Sequence, residues 1–137
     1  MRYLLDTNVL EHLANRHDGW ERIEAKIDSV GIEHCAISAV TAYELRRHIE
    51  RGPGRVRKEN IERLKVAFAD IRCIPLDLNE ADQAGRIAAQ LDDLGMPIGP
   101  HDPMIAATAI VHEMTCVTDN IKHFIRIPGL TLQNWRA

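Results

Sequence analysis

Short apolar runs, each too brief to be a helix, alternate along this chain with longer stretches of helical period. The runs lie at 2–5, 34–37, 72–76 and 115–117, with a further one near 130–132. Asn8 opens a short helix to about 15, with Glu11 three residues on in a capping-box pattern. Asp18 and Glu21 repeat that pattern before Trp20, Ile23, Ile27 and Val30, and Gly31 ends the second helix. Ser38 caps a helix over 39–51, broken by Gly52-Pro53-Gly54. The next, over 55–70, carries Ile61, Leu64, Phe68 and Ile71 along one stripe. Asn79 opens a helix to 94 that turns Ala84, Ile87, Ala88, Leu91 and Leu94 inward. The stretch 103–113 is apolar nearly all round and reads as a buried helix. Strands alternating with helices in this way predict an α/β fold with a parallel sheet covered on both faces.

A chain of 137 residues is most simply one domain, spanning 1–137. No apolar run reaches the ~18 residues of a membrane span, and the N-terminus lacks a signal-peptide pattern. Cys35, Cys73 and Cys116 form no C-x-x-C pair and each adjoins an apolar run, so buried thiols in a reducing cytoplasm are expected. A net charge of -3 argues against a general nucleic-acid binder, yet residues 46–65 hold eight Lys/Arg against three Glu.

Four acids stand at functional positions. Asp6 follows the first strand directly, where an open α/β sheet presents residues to its ligand crevice. Glu44 lies on the helix after the second strand, Asp102 begins the buried helix, and Asp119 follows the run 115–117. Converging at one sheet end, four carboxylates would repel one another unless a cation neutralised them. A hard divalent ion with oxygen ligands suits that set, and suits hydrolysis of a phosphodiester. Each acid also has a local reading. Asp6 can cap a turn, Asp102 can be a helix N-cap before Pro103, Glu44 can be a solvated partner of Arg47 or His48, and Asp119 can be a turn residue.

The blocks L-L-D-T-N at 4–8, S-A-V-T-A-Y-E-L at 38–45, G-M-P-I-G-P-H-D-P-M-I-A-A-T-A at 95–109 and V-T-D-N at 117–120 resemble the PIN-domain ribonucleases, and more narrowly the VapC toxins of type II toxin–antitoxin pairs. The closing I-P-G-L-T-L-Q-N-W at 127–135 is similar to a VapC C-terminus, so the resemblance covers essentially the whole chain. It implies a PIN-like three-layer α/β/α sandwich with a central, mainly parallel sheet of four to five strands. It implies a Mg²⁺- or Mn²⁺-dependent endoribonuclease in which Asp6, Glu44, Asp102 and Asp119 match the catalytic acids. Asp6, Asp102 and Asp119 would hold the metal, and Glu44 would bind the ion or orient the attacking water. Thr7, Asn8, Ser38 and Thr118 match supporting polar positions. Asn120 can share the role of Asp119, whose position holds either Asp or Asn in relatives. Pro103 departs from the family pattern, but proline is tolerated in a first helical turn.

The resemblance further implies cleavage of RNA, with tRNA or ribosomal RNA loops as targets. It also implies a homodimer, and a VapB-type antitoxin through which any DNA contact is made indirectly. Arg46, Arg47, Arg51, Arg55, Arg57 and Lys58, around the Gly-Pro-Gly turn, are candidates for RNA phosphates or else a solvated face. Aromatics make up only 4% of the chain, which disfavours an extensive base-stacking platform. Two other readings remain at this stage. One is a non-catalytic module that binds RNA or protein. The other is a D-x-D-type Mg²⁺ phosphotransferase, against which Asn8 stands where a second Asp is needed.

Overall fold

The structure is a computed structural model and describes residues 2–137. Five parallel strands form one sheet: β1 (Tyr3–Leu5), β2 (Cys35–Ser38), β3 (Arg72–Ile74), β4 (Thr115–Val117) and β5 (Leu132–Gln133), in the order β3-β2-β1-β4-β5. Helices α1 (Thr7–Asn15), α2 (Trp20–Val30), α3 (Ala39–Arg51), α4 (Gly54–Phe68), α5 (Leu78–Asp93), α6 (Asp102–Val111) and α7 (Ile121–Phe124) connect them. The chain builds outward from β1 on one side through β2 and β3, then returns to the other side with β4 and β5. The order therefore reverses at β1, and the crevice at such a switch point is where open α/β sheets bind ligands.

Alternation along β1 sorts its residues to the two faces. Leu4 joins Ala36, Ile74 and Cys116 under α5 and α6, where Ala84, Ile87, Leu91, Ile105, Ala106 and Ala109 complete one core. Tyr3 and Leu5 join Cys35, Ile37 and Val117 on the opposite face, against Val9 of α1, Ile23 of α2 and Trp135. The result is the expected α/β/α sandwich, with all five strands parallel.

The buried helix is present as α6, and Ser38 caps α3 by accepting the Thr41 N–H at 3.1 Å. Other helix starts differ from the sequence reading. Asp6, not Asn8, caps α1. Gly19 stands at the cap of α2 with φ 89° and no side-chain bond, in place of an Asp18–Glu21 box. Asp77 and Glu80 form the capping box of α5, so that helix begins one residue before Asn79. Leu94 lies just past the end of α5 and is exposed rather than inward. Cys73 is exposed as well, because β3 is an edge strand, whereas Cys35 and Cys116 are buried.

Candidate active site

Asp6 leaves β1 at the switch point and is 4% exposed. Its carboxylate accepts the Thr7 backbone N–H on Oδ1 and the Thr118 hydroxyl on Oδ2, both at 2.8 Å. Register accounts for the second bond: Leu5 pairs with Val117, so the next residues of β1 and β4 emerge side by side. Burial pushes the Asp6 carboxyl up to about 7; the Thr118 and Thr7 bonds oppose this, and the nearby Asp102 and Glu44 charges add to it.

Glu44 sits in the middle of α3, and the Thr7 hydroxyl donates to its Oε1 at 2.6 Å. The same hydroxyl lies 3.1 Å from that of Thr41, a residue with no exposed surface one turn before Glu44. Ser38 does not touch the acids; it fixes the start of α3 and, through Thr41, the height of Glu44. Asp102 is the first residue of α6. Burial raises its pKa, opposed by the Gly99 N–H and by His123, with Glu44 adding to the rise. A Cβ at Gly99 would stand 3.0 Å from Asp102 Oδ2, so a side chain there would push on that carboxylate by a few tenths of an ångström.

Asp6, Glu44 and Asp102 thus feel one another's charge, and no Lys or Arg forms an ion pair with any of them among the described residues. Two histidines stand beside them instead. His101 Nδ1 is 3.3 Å from Glu44 Oε2, and His123 Nδ1 is 3.7 Å from Asp102 Oδ2. His101 stands directly before Asp102 in the chain, so its nearness to the acids follows from sequence. That of His123 does not, because it depends on the turn of α7, a helix the sequence reading did not include.

Asp119 has basic partners of its own. Its Oδ2 takes Arg136 Nη1 at 2.8 Å and His12 Nε2 at 2.7 Å, so its carboxylate is engaged away from the other three. Successive residues of an extended segment point to opposite sides, and here Thr118 points in toward Asp6. Asn120 returns to the site side, with its Nδ2 2.9 Å from His123 Nδ1. Among the described residues, no three His, Cys, Asp or Glu converge tightly enough to clasp an ion as a finished cluster.

The donor chemistry nonetheless fits a hard cation. Three carboxylates have no Lys or Arg partner, and Asn8 Oδ1, two residues from Asp6, is buried with no hydrogen-bond partner among the described residues. On one side of Glu44 lies a depression of about 520 Å³ lined by Thr7, Glu11, Glu44, Arg47, His48, Arg51, Gly52 and Pro53. Of the basic candidates, Arg47 and Arg51 face this depression, whereas Arg46 pairs with Glu50 at 3.0 Å. Arg57 donates to the Gly52 carbonyl at 3.3 Å, and Arg55 and Lys58 are exposed on α4.

Comparison with known proteins agrees with this architecture. Residues 3–130 match the PIN domain family. The chain is 31% identical over 98% of both chains to Ribonuclease VapC2 of Rickettsia felis, and 28% identical over 98% of both to the tRNA(fMet)-specific endonuclease VapC of Salmonella typhimurium. Among solved structures, DNA-bound VapBC from Salmonella typhimurium superposes with a TM-score of 0.88 at 28% identity, over 98% of both chains. FitAcB from Neisseria gonorrhoeae superposes with a TM-score of 0.84 at 30% identity, over 97% of both. The chain belongs to the PIN-domain family, and within it to the VapC ribonucleases of toxin–antitoxin pairs.

Proposed function

We propose that residues 1–137 act as a single-domain, Mg²⁺- or Mn²⁺-dependent endoribonuclease toxin. The observation that carries this reading is the trio Asp6, Glu44 and Asp102, three carboxylates on three different elements with no Lys or Arg paired to them among the described residues. Asp6 and Asp102 would hold the cation, aided by the buried oxygen of Asn8 and by Asn120, which would take the fourth position while Asp119 is engaged by Arg136 and His12. When bound, the ion supplies positive charge to the phosphate and makes water a better nucleophile at neutral pH. Thr7 fixes Glu44 Oε1, leaving Oε2 and its neighbour His101 to orient the attacking water. Water attacks phosphorus in line, the ribose 3′ oxygen departs, and the products carry a 5′-phosphate and a 3′-hydroxyl.

The substrate is tRNA or ribosomal RNA; the relative from Salmonella typhimurium is named a tRNA(fMet)-specific endonuclease. The partner is a VapB-type antitoxin, as in the VapBC complexes this fold resembles, and DNA is reached only through that partner. A second groove of about 530 Å³, lined mainly by apolar residues of α1, α3 and α4, shares Glu11, His48, Gly52 and Pro53 with the depression beside Glu44. An amphipathic antitoxin segment lying in the first would reach the second. The working unit is a cytoplasmic homodimer; no described helix is long and apolar enough to cross a membrane.

Sequencing of new 5′-phosphate RNA ends after brief induction in cells tests the activity and finds the target together. Asp6→Asn is the control, and equal toxicity of the two chains would refute the assignment. So would a cyclic 2′,3′-phosphate product, or full activity in EDTA.

A further inference from the structure

We propose that Tyr43 is a stacking residue for one unpaired base flanking the scissile phosphate; this rests on the ribonuclease reading above and assigns it a substrate contact. The chain has two Trp, two Tyr and two Phe. Tyr3, Phe124 and Trp135 are buried in the two cores, and Trp20 and Phe68 are half-buried. Tyr43 alone among them is exposed, at 53%. Its ring fills no core, and it stands one residue before Glu44.

Two features make the ring more than a stray surface aromatic. The first is that it is held. His101 packs against it edge to face, with ring centroids 5.5 Å apart and planes at 65°. His101 in turn rests on Glu44 at 3.3 Å, so the ring is placed relative to the acids rather than swinging free. The second is its company on α3. Tyr43, Arg47 and Arg51 recur every four residues, which lines them along one helix face. Arg47 and Arg51 line the depression that also contains Glu44. One helix therefore presents an aromatic ring and two guanidinium groups in a row, with Glu44 on the adjoining face beside the same two arginines.

That sequence of groups matches a nucleic-acid strand, with a base for the ring, a phosphate for the acids and further phosphates for the arginines. A base within a duplex has both faces covered by its neighbours, so a ring at this position selects a loop, bulge or single strand. A single stacking residue also agrees with the low aromatic content, because it reads one base beside the cut and leaves the rest of the strand to the backbone contacts.

The test is fluorescence anisotropy with the full-length Asp6→Asn chain, titrated into a labelled single-stranded random oligoribonucleotide and into a fully paired RNA duplex. Adding Tyr43→Ala is expected to weaken single-strand binding roughly 5- to 150-fold, the cost of losing one stacked base, and to leave duplex binding unchanged. Tyr43→Phe keeps the ring and should keep the parent affinity for the single strand. The ring lies on the surface, so its removal should not move the melting temperature. Unchanged single-strand affinity in Tyr43→Ala would overturn the proposal. So would equal loss on both RNAs, or no measurable binding of the parent to either. A parallel cleavage assay of wild type against Asp6→Asn separates the two claims: equal cleavage refutes the metal-site mechanism, while the anisotropy measurement still decides the role of Tyr43.

Discussion

The Thr7 hydroxyl donates to Glu44 Oε1 at 2.6 Å, joining the first turn of α1 to the middle of α3 across 37 positions. Among the described residues, nothing else in the hydrogen-bond network binds that carboxylate oxygen. Thr7→Val keeps the shape and removes the donor, so Glu44 should lose its orientation while the fold survives. Cleavage is expected to fall about 10- to 100-fold, the usual cost of losing a group that orients a metal-site residue. Thr7→Ser should recover most of it, and steady-state cleavage of a target RNA beside a thermal melt distinguishes the two effects.

Asp6 makes stability depend on pH in an unusual direction. Its folded-state pKa of about 7 lies above the 3.8 of a free carboxyl, so folding favours the protonated form. The contribution is complete below pH 3.8, fades as pH rises, and is gone above about pH 7. A displacement of this size corresponds to at most roughly 4 kcal/mol. Relative to Asp6→Asn, the wild type should therefore lose stability between pH 4 and pH 8 in EDTA, measured by urea unfolding. Millimolar Mg²⁺ or Mn²⁺ at pH 8 should narrow the gap, since a ligand that binds only the folded state stabilises it.

Asp119 offers the contrasting case. Its carboxylate is bound by Arg136 and His12, so Asp119→Asn should leave the cation site intact and loosen the chain near residue 136 instead. Isothermal titration with Mn²⁺ is expected to show wild-type affinity for Asp119→Asn and a lost binding event for Asp6→Asn and Asp102→Asn. Loss of binding in Asp119→Asn would return that residue to the metal site.

Glu80 is expected to matter for stability rather than catalysis. It closes the capping box of α5 by accepting the Asp77 N–H at 3.1 Å and lies 2.8 Å from His112 Nε2. Burial works to raise its pKa, but backbone N–H groups and His112 together lower it. Its contribution is therefore present above pH 4.5 and is lost as pH falls through its lowered folded value. Glu80→Ala should cost about 1–2 kcal/mol at pH 7 and less in acid, read from unfolding midpoints at two pH values, with cleavage unchanged.

Much of this architecture was legible because it depends on local signals. Leu4-Leu5-Asp6 announces a buried strand that ends in a carboxylate, and Ser38 before an amphipathic stretch announces a capped helix. Both stand where the sequence places them. The close approach of Gly99 to the Asp102 carboxylate is visible only in three dimensions. The Arg136 and His12 partners of Asp119 were not legible, because proximity in sequence to Thr118 says nothing about which side of the strand end a residue faces. The period-two alternation that put Leu4 and Leu5 on opposite faces, carried past Val117, would have turned Thr118 inward and Asp119 outward. The histidine beside Asp102 was out of reach, since α7 is a four-residue helix with no periodic signal of its own.

The bond from Thr118 to Asp6 spans 112 positions and depends on β4 docking beside β1. During synthesis Asp6 leaves the ribosome early, and Thr118 follows on the order of ten seconds later. Asp102 also emerges late, so a half-made chain carries the first acid without its companions. The crevice around Asp6 is therefore among the last parts of each new molecule to form, because its far wall waits for β4.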